Sequence, residues 1–115
     1  MTRTPQEVFA DHGRRLGTGD LDHIAGNRTE DAVLITPEGA YHGRDGGRWI
    51  TGRLPADLPD ADCQLEPQFA GGVLFLQRTA VTATHQVTDG TDTFAFRDGL
   101  ISAQTVRCTL TDLPR

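Results

Sequence analysis

The chain predicts an α+β domain in which a curved antiparallel sheet packs its concave face on helices near the N-terminus. Three observations carry this expectation. Helix start and stop signals crowd the first half of the sequence, beginning at Thr4-Pro5. Everything beyond Asp62 reads as strand, with side chains of alternating character. Asp98-Gly99 then supplies the strongest short hairpin signal in the chain, joining the last two long strands.

The elements follow in order. Thr4 suits a helix cap, Pro5 the first helical position, and Glu7 completes a capping box. Val8, His12 and Leu16 recur at intervals of four with Phe9 alongside, so one stripe of this helix is apolar and His12 points inward. Gly17 and Gly19 end the helix, and Asp20 caps a short second one through Leu21 and Ile24. Ala32 to Thr36 is an apolar run of strand length, followed by a tight turn at Pro37-Glu38-Gly39 and a return strand through Ala40, Tyr41 and His42. Asp45 opens a third helix whose contact stripe is Trp49, Ile50, Arg53 and Leu54, and Pro55 to Asp62 reads as loop. Four antiparallel strands remain: Cys63 to Phe69, Val73 to about Thr84, a strand centred on Asp92, and Leu100 to Leu110.

Within the strand Asp89 to Gly99 the chemistry concentrates. Asp92, Phe94 and Phe96 share one face of it, while Thr91, Thr93, Ala95 and Arg97 share the other. A carboxylate on an aromatic, inward face either finds donors or has its pKa pushed up, and a raised pKa makes it a usable proton donor or acceptor. The alternative is an aspartate held by backbone amides at the mouth of a core. Past the hairpin, Ile101 and Ala103 fall on the Asp92 face, whereas Val106, Cys108 and Leu110 follow the opposite phase. Such a slip inside one strand predicts a β-bulge near Ala103 to Thr105, across from Asp92.

Composition narrows the field of functions. The chain has 115 residues, one domain spanning 1–115, with 37% hydrophobic content and seven aromatics. Its net charge of −5 argues against nucleic-acid binding, and all eleven basic residues are arginine. No apolar run reaches membrane-span length and no signal-peptide pattern precedes the first helix, so a cytoplasmic location is expected. Cys63 and Cys108 lack metal or redox spacing and read as reduced, buried thiols. His12, His23, His42 and His85 show no ligand spacing, so no metal is expected. Without a lysine there is no phosphate-binding loop of the P-loop kind, and Ser102, the only serine, sits in no nucleophile elbow.

The segments TGDLDHIAG (18–26), DAVLITPEGAYHGRDG (31–46) and DGTDTFAFRDGLISAQT (89–105), in this order and spacing, resemble the SnoaL-like group of the nuclear transport factor 2-like superfamily. The resemblance spans nearly the whole chain. It implies a cone: a curved sheet wrapped around the long N-terminal helix, a pocket at the open end, and homodimers through the outer sheet face. The superfamily holds ketosteroid isomerases, epoxide hydrolases and polyketide cyclases, and also proteins that only bind or assemble. Asp92 matches the functional pocket aspartate of those enzymes, and His12 stands where the isomerases have an oxyanion-hole tyrosine. The isomerase base is replaced by Thr36, the epoxide hydrolase arginine by Gly90, and its second aspartate by Val106. Gly26-Asn27-Arg28 also breaks the aromatic, apolar pattern usual at that point.

Three functions are therefore open. The first is a cofactor-independent acid–base enzyme of isomerase, cyclase or epoxide-opening type on a small apolar substrate. In it Asp92 transfers the proton, His12 partners or orients it, and Gln104 at the bulge donates a neutral hydrogen bond. Thr36, Tyr41, Trp49, Phe75, Phe94 and Phe96 are then candidate pocket walls. The second is a ligand-binding protein with Asp92 ionised, and the third an assembly domain. No cofactor is called for in any of them.

Overall fold

A computed structural model describes residues 2–16, 18, 20–44, 62–81, 85–107 and 110–112. The expected third helix with Trp49, the following loop, and Cys108 lie outside the described residues.

Helix α1 (Pro5–Leu16) begins at the capping box read from the sequence: the Thr4 amide donates to Glu7 Oε1 at 3.0 Å and the Glu7 amide to Thr4 Oγ1 at 3.2 Å. Asp20 caps α2 (Leu21–Ala25) by accepting from the amides of Asp22 and His23. Seven strands follow: β1 (Arg28–Thr36), β2 (Gly39–His42), β3 (Asp62–Ala70), β4 (Val73–Val81), β5 (His85–Arg97), β6 (Leu100–Arg107) and β7 (Leu110–Asp112). The hairpin turns at Gly71-Gly72 and Asp98-Gly99 have φ of 55° and 79°, and 55° and 75°, the paired positive values that close two-residue hairpins.

The strands form one open, curved sheet in the order β2-β1-β6-β5-β4-β3, with β7 alongside the start of β5. All pairings are antiparallel except β1 with β6, which is parallel. The curved, mainly antiparallel sheet is as expected, and its one parallel pairing arises because β1 reaches β6 from a distant part of the chain rather than through a hairpin. Two boundaries also move. β1 starts at Arg28 rather than Ala32, Arg28 itself pairing with Ile101 of β6 before the register shifts ahead of Val33. The single last strand is described as two: β6 pairs with β5 as far as Arg107, and β7 pairs with it at His85 to Val87.

The core lies between α1 and the inner face of the sheet, where Val8 packs with Leu74, Leu76, Phe94 and Ile101, and Phe9, Phe69 and Phe96 seal its margin. Phe9 meets Phe69 and Phe94 edge-on at 6.0 and 6.1 Å between centroids. A polar clasp ties the chain start to this framework: Arg3 donates to Asp11, to the Asn27 side chain and to the Gly99 carbonyl, and Asn27 donates on to Asp11. Asn27 is fully buried, and its own carbonyl receives the Ile101 amide, so β1 and β6 are registered from that point. No described helix is long and apolar enough to cross a membrane.

Candidate functional site

The inner face of the sheet is apolar at the Phe96 end and turns polar along the strands. On β5, Phe96, Phe94, Asp92 and Gly90 alternate inward; on β4 the partners of the last three are Leu74, Leu76 and Arg78. Asp92 therefore stands in the ladder between Leu76 and Val106, and only 6% of it is exposed. Burial pushes its carboxyl above the ordinary range, against the opposing pull of Arg78, Gln104 and the more distant Arg28. Arg78 donates from Nε and Nη2 to Asp92 Oδ1 at 3.4 and 3.3 Å, long contacts that only partly offset the lost hydration.

The predicted bulge exists but sits closer to the hairpin. Phe96 pairs with Ile101 and Ala95 with Ala103, which leaves Ser102 as the extra residue. Its Oγ is tied back to the Ala95 carbonyl at 3.1 Å. The phase change is complete before Gln104, which turns inward and is buried, while Thr105 is exposed. A second register shift, between Arg78 and Ala80 on β4, places an extra residue in β5 between Val87 and Gly90, just before Asp92.

Gln104 links the site into a row. Its Oε1 accepts from Arg28 Nη2, so its amide nitrogen is the group left to donate to Asp92. Arg28 is 3% exposed, and burial lowers its pKa to about 10, so it stays charged at neutral pH. Neither arginine was among the expected site residues. Arg78 was legible, since the phase of Leu74 and Leu76 carries it inward. Arg28 had one signal, the polar break at Gly26-Asn27-Arg28.

The other expected residues divide. His12 is buried on α1, its ring edge-on to Phe94 at 6.0 Å, with Nδ1 unpartnered. Burial first, then the Arg28 and Arg15 charges, lower its pKa to about 4, so it is a neutral imidazole at pH 7. Among the described contacts no hydrogen bond joins it to Asp92; Arg28 is the charge whose field reaches both. Phe94 and Phe96 face inward and stack on each other at 6.2 Å, Phe94 within the core itself. Tyr41 lies opposite Leu34 on the inner face. Thr36 is buried but occupied by the β1–β2 turn, donating to Glu38 Oε2 and receiving the Glu38 amide. Phe75 points outward and is 41% exposed, because alternation with Leu74 and Leu76 leaves it no other face, so it does not line the inner surface. Trp49 lies outside the described residues. Two surface openings, about 160 Å³ beside Pro5 and the Gly71-Gly72 turn and about 390 Å³ along Arg3, Glu7 and Arg14, touch none of Asp92, Gln104 or Arg28. No group of metal-ligating side chains occurs among the described residues.

A search of curated proteins finds no match. Solved structures match across most of the chain. An NTF2-like protein of Burkholderia xenovorans aligns with a TM-score of 0.73 at 17% identity, covering 91% of this chain and 82% of its own. A putative ketosteroid isomerase from Kribbella flavida aligns at 0.69 and 16% identity, covering 96% and 82%. SalBIII, an epoxide hydrolase/cyclase-like enzyme of pyran ring formation in the polyether salinomycin, aligns at 0.62 and 19%, covering 91% and 90%. At such identities the likeness is one of fold. The profile of the SnoaL-like domain, however, matches residues 9–104, and with that span the chain belongs to the SnoaL-like domain family.

Proposed function

We propose that the protein is a cofactor-independent acid–base enzyme of isomerase, cyclase or epoxide-opening type, acting on a small, mainly apolar molecule. The observation that carries this reading is Asp92: a carboxyl buried beyond the aromatic core, its pKa raised by desolvation despite a neighbouring guanidinium. Such a group exchanges a proton at a pH where an ordinary aspartate is already ionised. Gln104 supplies a fixed neutral donor beside it, and His12, uncharged, offers a polar edge without competing for the proton. The activities named for the Kribbella protein and for SalBIII are of the same broad kind. Carboxyl-carbon NMR titration, with Asp92→Asn to assign the signal, tests this. A midpoint clearly above the ordinary ~3.9 is expected. A midpoint at or below it would instead favour a non-catalytic binding protein.

We further propose a homodimer through the outer sheet face. Phe75, Thr93, Thr105 and Ile35 lie in one cross-strand row over β4, β5, β6 and β1, and Val73, Ala95, Ala103 and Val33 form the next. Neither row carries a charge, and Phe75, Ile35 and Val73 are each more than two-fifths exposed. Light scattering should find a dimer for the native chain and a monomer for Phe75→Arg; a monomeric native chain would refute it.

A further inference from the structure

Among the described residues the buried arginine Arg28 forms no ion pair, and the opposite charge whose field reaches it is that of Asp92, beyond Gln104. Its side chain lies on the inner face beside Gln104, and a single donor, Nη2, is used there. Nε and Nη1 are sealed from solvent and have no hydrogen-bond partner. Among the described residues no carboxylate pairs with it: Asp92 is engaged by Arg78 and stands beyond Gln104, Asp11 is taken by Arg3, Arg14 and Arg15, and His12 is a neutral neighbour. Folding a guanidinium into such a place is costly, because hydration is lost and the Asp92 carboxyl, beyond Gln104, offsets the loss only from a distance. The backbone does not explain it either. The Arg28 carbonyl is bonded to Arg44 Nε, an arrangement any residue could make at this position.

We propose that Arg28 receives the carboxylate of a small organic acid, whose apolar body lies along the aromatic inner face while Asp92 addresses its reacting atom. This deepens, and rests on, the acid–base reading above by naming the substrate class. A guanidinium is the side chain best matched to a carboxylate, and its unused donors sit in a desolvated place where charge-assisted hydrogen bonds are strong. Gln104, clamped between Arg28 and Asp92, sets the ligand's anionic end and the proton-transferring group on two sides of one amide. Two positions in the row are thereby distinct: one recognises, the other reacts.

The test uses acetate, benzoate and 2-naphthoate with their methyl esters as neutral counterparts, on the full chain, by calorimetry and side-chain NMR. At least one acid should bind about tenfold or more tighter than its ester, the scale expected of charge-assisted hydrogen bonds. Arg28→Gln should bring acid and ester within about twofold of each other. The Arg28 Nε–H resonance of the native chain gives a readout that needs no variant: it should shift with the acid and not with the ester. Equal binding of acids and esters, a preference that survives Arg28→Gln, an unmoved Nε–H signal, or no binding by any acid would each overturn the assignment. The Asp92 titration separates this from the broader reading. A raised Asp92 midpoint with no acid preference removes only the substrate class, whereas an Arg28-dependent preference with an ordinary Asp92 leaves an organic-acid binder without acid–base chemistry.

Discussion

Acidification from pH 6.5 to 4 is expected to cost the native state about 3 kcal/mol through His12 alone. The imidazole is buried first of all, and the charges of Arg28 and Arg15 add to the penalty on its protonated form, with Asp11 opposing them only weakly. Its pKa in the folded chain is therefore lowered from 6.5 to about 4. In the unfolded chain the ring takes up a proton as the pH drops below 6.5, and in the folded chain it does not until about 4. Stability from this source is thus complete above the unfolded value and drains away over that window. Urea melts between pH 4 and 7 on the native chain and on His12→Gln check it, because other titrating groups are common to both. The variant's curve should be flatter by about 3 kcal/mol; curves that run parallel would refute it. The same chemistry limits what His12 can do near neutral pH, where it offers a neutral N–H or lone pair and not a charged acid.

Local signals marked the local structure correctly. The Thr4 and Glu7 box, the Asp20 cap and the Asp98-Gly99 hairpin each rest on contacts within a few residues, and each formed as the sequence implied. The face of Asp92 and Phe94 followed from strict alternation in the same way. What escaped was set by partners far along the chain. The parallel pairing of β1 with β6 joins Leu34 to Gln104, and no pattern within either strand announces it. Arg28 read only as part of a polar break for that reason, its burial depending on a neighbour 76 residues away. The bulge was visible as a phase slip, but the slip only brackets its place, and Ser102 took it because its hydroxyl can satisfy the Ala95 carbonyl. Phe75 shows the opposite error: aromatic character suggested an inner wall, while the strand period placed it outside.

Gly90→Ala is expected to destabilise the chain by about 3 kcal/mol, the upper part of the usual range for overpacking. Gly90 is buried on β5 opposite Arg78, and a Cβ there would lie 2.7 Å from Arg78 Cγ and 2.8 Å from the Arg78 carbonyl oxygen. The side chain can swing away, but the carbonyl belongs to β4 and moves only if the two strands part. Displacing Arg78 has a second consequence. Its charge and hydrogen bonds are what oppose burial at Asp92, so their loss leaves desolvation less checked and lifts the Asp92 pKa further. The missing side chain at Gly90 is thus what lets an arginine from the neighbouring strand reach the carboxyl. Arg78→Ala in the same background removes the Cγ contact and leaves the carbonyl one, so the double variant should recover part of the lost stability and none of the Asp92 shift. Thermal melts and carboxyl NMR on the native chain and the two variants read both effects. A Gly90→Ala chain that melts with the native protein and keeps its Asp92 midpoint would show that β4 and β5 yield at this point without disturbing the site.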